Sequence, residues 1–109
     1  MNRNNMRPQA IPTVQIDNGR VIVTEWRFPP GAETGWHTHA HDYVVVPMTD
    51  GNLVLETDEG IKTSTLVKGR SYARQIGVSH NVINPGPHEV IFVEIEVKTR
   101  TRQDYAEQA

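Results

Sequence analysis

The stretch Gly35-Trp36-His37-Thr38-His39-Ala40-His41 places His37 and His39 two residues apart, and a third histidine, His80, lies further along the chain. In a β-strand, residues i and i+2 point to the same face with Cα atoms about 6.6 Å apart. Two imidazoles at that spacing can bind one metal ion at bond lengths of about 2.1 Å, and a histidine from a neighbouring strand can complete the site. The pattern therefore predicts a metal site formed by His37, His39 and His80.

The composition of the 109-residue chain excludes several classes of function. The formal net charge is −2 at pH 7, so the chain has no basic surface for nucleic acid. It has no cysteine, which leaves imidazole, carboxylate, phenolate and water as metal ligands. No apolar run approaches the length of about 20 residues that a membrane-spanning helix needs. We expect a single-domain, soluble, cytoplasmic protein that binds neither nucleic acid nor membrane.

Short segments rich in β-branched residues recur along the chain, separated by Gly, Pro, Asn and Asp, and no helical stripe interrupts them. The predicted strands are 13–17, 20–28, one that carries His37 and His39, 42–48, 53–57, 61–66, 71–74, 80–84 and 89–98. Asn18-Gly19 predicts a hairpin turn, and Pro47 favours an edge or bulge position. The pattern predicts an all-β sandwich or closed barrel over residues 13–99, with an N-terminal arm (1–12) and a C-terminal tail (100–109).

Two segments of the chain resemble the paired motifs of the cupin superfamily. The first runs from Gly31 through His37 and His39 to Tyr43 and closes near Gly51; the second consists of Gly69, Gln75-Ile76-Gly77, His80 and Asn84. More narrowly, the chain is similar to small single-domain cupins, some of which carry the label of β-alanine-degradation proteins. The resemblance implies a double-stranded β-helix, or jelly-roll barrel. It also implies one divalent metal ion (Fe, Ni, Zn, Mn or Cu) ligated by His37, His39 and His80.

The chain departs from the cupin motifs at two positions. Gln75 replaces a proline, and Tyr43 replaces the usual glutamate ligand. Tyr43 could ligate the metal, donate a hydrogen bond to a metal-bound water or substrate, or simply pack. A phenol titrates near pH 10, so donation is favoured, and Tyr43 is predicted to be the catalytic proton donor or orienting group. His41 could replace the missing ligand, although a turn or surface position is favoured, and His88 is predicted to lie in a turn.

For several other side chains the sequence leaves two possible locations open. Trp26 and Phe28 are predicted to lie in the core or in a dimer interface. Arg27, Arg74 and Glu25 could line a pocket or lie on the solvated exterior.

A site without a carboxylate ligand leaves the ion its full charge, which favours an anionic small-molecule ligand. The resemblance implies a mononuclear metal enzyme acting on a small organic acid or diketone, either dioxygenase-like or a lyase or isomerase. A non-catalytic metal-assisted binding or sensor protein is the main alternative, and a metal-free interaction domain is a third. We also expect a homodimer, since small cupins commonly pair and the strand 13–17 offers an edge.

Overall fold

The computed structural model describes residues 6–98, over which the chain forms β-strands and no helix. In chain order the strands are β1 (Ile11–Asp17), β2 (Val21–Phe28), β3 (His37–Thr38), β4 (Asp42–Pro47), β5 (Gly51–Thr57), β6 (Gly60–Leu66), β7 (Tyr72–Arg74), β8 (Ser79–Ile83) and β9 (Val90–Val97). Over this range no helix is long and apolar enough to cross a membrane. The predicted tail 100–109 and the first five residues of the predicted arm lie outside the described residues.

The strands form two antiparallel sheets. One has the strand order β1-β2-β9-β4-β7 and the other has the order β3-β8-β5-β6. The buried core draws on both sheets, with Phe28, Val45 and Phe92 from the first and Leu53 and Val82 from the second. This arrangement confirms the predicted all-β, single-domain jelly-roll class.

The two-residue period of the sequence determines which face of each strand is buried. In β9, Val90 and Phe92 are 3% and 5% exposed, whereas the intervening Ile91 is only partly buried. Successive side chains of a strand point to opposite faces, so this alternation turns one face of β9 towards the core. β9 lies between β2 and β4 and therefore forms the middle of the five-stranded sheet.

The first hairpin matches its sequence signal, but the strand begins earlier than predicted. The side-chain oxygen of Asn18 accepts hydrogen bonds from the backbone N–H groups of Arg20 (2.8 Å) and Val21 (2.9 Å), which closes the turn. β1 begins at Ile11 rather than at residue 13, because Ile11 and Pro12 still pair with β2. The end of the predicted arm is thus part of the sheet.

Pro47 does not mark an edge strand or a bulge, contrary to the prediction. β4 is an inner strand between β9 and β7. Pro47 is its last residue and pairs with Phe92 of β9, whereas the pairing with β7 ends at Val45. Proline is tolerated at this strand end because no neighbouring strand on the β7 side needs its missing N–H.

Candidate metal centre

The histidine-bearing segments lie side by side at one edge of the four-stranded sheet. β3 and β8 are antiparallel and pair His37 directly with His80. β3 ends before His39, so His39 follows the strand instead of lying on it as predicted. Its backbone is bonded to the segment that leads into β8: its N–H donates to the carbonyl of Val78, and its carbonyl accepts from the N–H of Gly77, each at 2.9 Å. Backbone hydrogen bonds therefore hold all three histidines together.

The three imidazole rings converge. The Nε2 atom of His39 lies 3.1 Å from Nε2 of His37 and 3.1 Å from Nε2 of His80. One ligand nitrogen from each residue lies within 4.8 Å of the others. His39 and His80 are buried, and His37 is half-buried. This spacing is short enough for one ion with bonds of about 2.1 Å to contact all three nitrogens.

The hydrogen bonds of His37 determine which of its nitrogens carries a lone pair. Its Nδ1 lies 2.9 Å from the carbonyl oxygen of Gly35. A carbonyl oxygen only accepts, so Nδ1 carries the proton and Nε2 presents its lone pair to the cluster. Gly35 has a φ of 88°, which glycine adopts without strain. Its N–H donates to Oδ1 of Asn81 at 2.9 Å, so Asn81 positions the residue that orients His37.

Burial keeps the other two imidazoles neutral. Burial, and to a lesser extent the rings of His37 and His80, lowers the pKa of His39 to about 4. Burial, followed by His37 and Arg74, lowers the pKa of His80 to about 4 as well. Both rings are therefore neutral near pH 7, which is the form in which histidine binds metals. Three imidazoles with converging nitrogens fit one divalent ion.

Tyr43 packs against this cluster. Its ring is stacked on that of His39, with centroids 3.9 Å apart and planes inclined by 18°, and the residue is 4% exposed. Burial, and then the charge of Glu94, raises the pKa of the Tyr43 phenol above its ordinary value. These effects favour the neutral phenol, which can donate a hydrogen bond. The role of Tyr43 as a proton donor stays a prediction.

The remaining two histidines lie apart from the cluster. His41 is half-buried in the bend before β4, and His88 is exposed in the segment between β8 and β9. Within residues 6–98, neither belongs to the group of ligand atoms that could hold an ion, and neither lines the adjoining cavity.

The histidines line a cavity of about 240 Å³ between the two sheets. Much of its wall is apolar and includes Val45, Leu53, Leu55, Val82 and Phe92. Two exposed cationic residues, Lys62 and Arg74, also line it, and the guanidinium of Arg74 lies 4.5 Å from the ring centre of Tyr72. By contrast, Arg27 is exposed and bonds to Glu25 at 2.8 Å, outside the cavity.

The sequence interpretation missed the polar groups of the wall formed by β2 and β9. Glu94 lines the cavity and is 9% exposed. Burial, reinforced by Glu96, raises its pKa to about 7, and the nearby indole N–H of Trp26 opposes this rise. Trp26 lines the same cavity. A signal was present in the sequence: Glu94 continues the two-residue period of Val90 and Phe92, and a carboxyl group on the buried face of a strand is costly.

Known proteins resemble this chain over most of its length. The model of the cupin domain family matches residues 24–96. The β-alanine degradation protein BauB of Pseudomonas aeruginosa is 67% identical over 92 residues, which cover 84% of this chain and 97% of that protein. The crystal structure of a cupin domain from Bordetella pertussis Tohama I is 70% identical, with a TM-score of 0.84, over 85% of this chain and 97% of that one. A cupin superfamily protein from Desulfitobacterium hafniense DCB-2 is 16% identical, with a TM-score of 0.67, over 91% of this chain and 84% of that one, and is similar in fold alone.

Proposed function

This chain belongs to the cupin domain family, and we therefore propose that His37, His39 and His80 hold one divalent metal ion that acts on a small organic anion. The observation that carries the proposal is the 3.1 Å spacing of the Nε2 atoms. Lone pairs that face one another at this distance repel unless a cation or a proton lies between them. Burial disfavours the cationic form of His39 and His80, and one metal ion would accept the lone pairs of all three rings at once.

Three observations support a small anion as the ligand. The three imidazoles bring no negative charge, so the ion would keep its full attraction for an anion. Lys62 and Arg74 add positive charge to the cavity wall. A volume of about 240 Å³ suits a small molecule. The relative from Pseudomonas aeruginosa is named a β-alanine degradation protein, which supports a short carboxylic acid as the class of ligand.

The side chains of the cavity favour catalysis over binding alone. A bound ion would supply Lewis-acid polarisation of a substrate oxygen. Tyr43 holds its phenolic proton beside His39, and Glu94, with a pKa of about 7, can exchange a proton near neutral pH. Much of the remaining cavity wall is apolar. We propose a metal-dependent enzyme with dioxygenase-like or lyase or isomerase chemistry, and non-catalytic ligand binding is the second candidate.

The metal site is tested by titrating metal-stripped, untagged protein with Zn²⁺, Ni²⁺, Cu²⁺ and Mn²⁺, and with Fe²⁺ under anaerobic conditions. We expect one ion per chain and a loss of affinity of at least about 100-fold in His80→Ala. His88→Ala is the matched control, because it removes an exposed imidazole, and it should bind as the wild type does. Circular dichroism of the metal-free variants checks their folding. Equal affinity in His80→Ala and the wild type would remove the basis of the proposal.

Product analysis separates the two candidate functions. The metal-loaded protein is incubated with short hydroxy acids, keto acids and β-diketones, with and without oxygen. Turnover, with oxygen uptake if the reaction is oxidative, supports the enzyme. A ligand-dependent rise in the melting temperature without any product supports the binding protein instead.

A further inference from the structure

The five-stranded sheet carries positive charge on one side of Tyr43 and negative charge on the other. Tyr43 of β4 pairs with Arg74 of β7 and, on its other side, with Glu96 of β9. Glu94 lies two residues before Glu96 on the same face of β9, and both Glu94 and Arg74 line the cavity. An anion in the cavity is therefore attracted towards β7 and repelled by the carboxylates of β9.

Arg74 differs from Lys62, the other cationic residue of the cavity wall. Nζ of Lys62 lies 3.2 Å from a carboxylate oxygen of Glu59, so a neighbouring anion already offsets part of its charge. None of the ion pairs formed by residues 6–98 includes Arg74. A guanidinium also presents a planar set of N–H donors that can bind both oxygens of a carboxylate, whereas an ammonium acts as a point charge. Arg74 is thus better suited than Lys62 to bind a carboxylate.

Contacts within β7 hold the guanidinium of Arg74 in place. Tyr72 and Arg74 are two residues apart on this strand, so both side chains lie on the face that lines the cavity. The Arg74 guanidinium lies over the ring of Tyr72, which attracts a cation to its face, and its Nη1 donates to the carbonyl of Ala73 at 2.8 Å. These contacts reduce the conformational freedom that the Arg74 side chain would lose on binding an anion.

Arg74 also lies near the histidines. Directly opposed residues of antiparallel strands have Cβ atoms about 5 Å apart, and Tyr43, which is opposite Arg74, stacks on the ring of His39. After burial and His37, the charge of Arg74 lowers the pKa of His80 as well. A small molecule held by Arg74 can therefore extend to the metal centre.

We propose that Arg74 binds the carboxylate of the substrate through paired hydrogen bonds, and that the metal ion binds a different oxygen of the same molecule. This inference rests on the proposed function, because it needs an ion at the three histidines. It narrows the class of substrate to a short acid with a second oxygen group, such as an oxo acid, whose carbonyl oxygen the ion can polarise. A β-diketone has no carboxylate for Arg74, and a simple fatty acid has no second oxygen group for the ion.

The test compares pyruvate, acetoacetate and levulinate, three oxo acids of increasing length, with their methyl esters. Each ester keeps the carbonyl oxygen and loses the anionic charge. Affinities for the zinc-loaded full chain are measured by calorimetry at about pH 7.5. We expect at least one acid to bind at least about tenfold more tightly than its ester, because the ester cannot form the charge-assisted pair of hydrogen bonds.

Variants at position 74 show whether the guanidinium is responsible for this preference. Arg74→Gln removes the charge and should reduce the preference for the acid over its ester to about twofold or less. Arg74→Lys keeps the charge but loses the planar donors, and should retain a preference of about threefold. Arg27→Gln is the matched control, because Arg27 is exposed and pairs with Glu25 outside the cavity, and it should keep the full preference. Circular dichroism checks the folding of each variant.

Zinc stoichiometry is measured first, so that the two proposals can fail separately. If the wild type binds no zinc, both proposals fail. If the wild type and Arg74→Gln each bind one zinc per chain but no acid is preferred over its ester, only the assignment of Arg74 is wrong. A preference that survives in Arg74→Gln, or that is lost in Lys62→Gln instead, also overturns this assignment.

Discussion

Tyr43 contributes a ring and a hydroxyl group, and these can be separated by mutation. The ring stacks on His39 at 3.9 Å. Tyr43→Phe keeps this contact and removes only the hydroxyl group. Because the buried phenol favours its neutral form, we expect the affinity for zinc to change by less than about twofold, and turnover to fall by about 100-fold if the phenol transfers the proton. Zinc titration and steady-state kinetics measure the two effects.

Tyr43→Ala is the companion variant for this position. It removes the ring as well, so we expect it to lower the affinity for zinc and the stability of the fold together. A large loss of zinc affinity in Tyr43→Phe would instead identify the phenol as a ligand. A new phenolate charge-transfer absorption on loading the wild type with Cu²⁺ or Fe³⁺ would indicate the same.

Glu94 should make the free energy of unfolding of the metal-free protein depend on pH. Its pKa rises from 4.5 to about 7 on folding, so the folded state binds the proton more tightly than the unfolded state. The contribution of Glu94 to stability is therefore fully present below pH 4.5, falls as the pH rises to about 7, and is constant above that. Glu94→Gln abolishes this dependence. We expect the free energy of unfolding of the variant, relative to the wild type, to increase by about 3 kcal/mol across this range.

Urea denaturation of metal-stripped protein between pH 4.5 and pH 8 measures this difference. Glu89→Gln, which changes an exposed carboxylate, is the control and should follow the wild type at every pH. Parallel curves for Glu94→Gln and the wild type would show that Glu94 does not titrate in this way.

Asn81 on β8 links the metal centre to the loop before β3. Its Oδ1 accepts from the Gly35 N–H at 2.9 Å, and its Nδ2 donates to Glu33 and Glu56, each at 2.8 Å. Asn81→Ala frees Gly35, whose carbonyl orients His37. We expect the affinity for zinc to fall by about tenfold although no ligand is altered. Competition titration with a zinc chelator measures the change.

Asn52→Ala is the matched control for Asn81→Ala. Asn52 is exposed on β5 and accepts a hydrogen bond from Thr65. Its loss should leave zinc binding unchanged. An unchanged affinity in Asn81→Ala as well would show that Gly35 is held without this amide.

Local sequence signals predicted most of the strands, because alternation and turn chemistry act over a few residues. Asn18-Gly19 forms the expected turn, and every predicted strand is present with ends within a few residues. The sequence was less informative where pairing depends on distant strands. Pro47 indicated an edge, but the partners on either side of β4 come from β9 and β7. A local rule cannot show where a neighbouring strand stops.

The metal site shows the same difference between local sequence signals and features that depend on distant strands. The spacing of His37 and His39 and the position of His80 were sufficient to predict that they converge. Glu94 and Trp26 were missed because their importance depends on where strand pairing brings them: both line the cavity beside the histidines. Burial of this kind depends on the packing of both sheets and cannot be read from neighbouring residues in the chain.

We propose that the protein forms a homodimer through β1. All seven residues of this strand are exposed, including the apolar Ile11 (51%), Val14 (59%) and Ile16 (47%). β1 lies at the end of its sheet and pairs only with β2 among the described strands. A second copy could cover these side chains and extend the sheet.

Sedimentation velocity at about 10 µM should show a dimer, since a specific interface of this kind is stable in the micromolar range. The double substitution Val14→Lys and Ile16→Lys should give a monomer. Ile61→Lys on β6 changes a residue that is 74% exposed on the other sheet, and it should remain dimeric. A wild type that sediments only as a monomer would contradict the proposal.

β3 is two residues long and lies at the end of its sheet, where β8 is its one pairing partner among the described strands. So short a terminal strand is among the first parts of a protein to detach during local unfolding. An ion shared between His37, His39 and His80 would act as a cross-link that closes the intervening loop. It would slow amide hydrogen exchange in β3 and β8. Metal binding would then set the lifetime of the folded cavity wall as well as its chemistry.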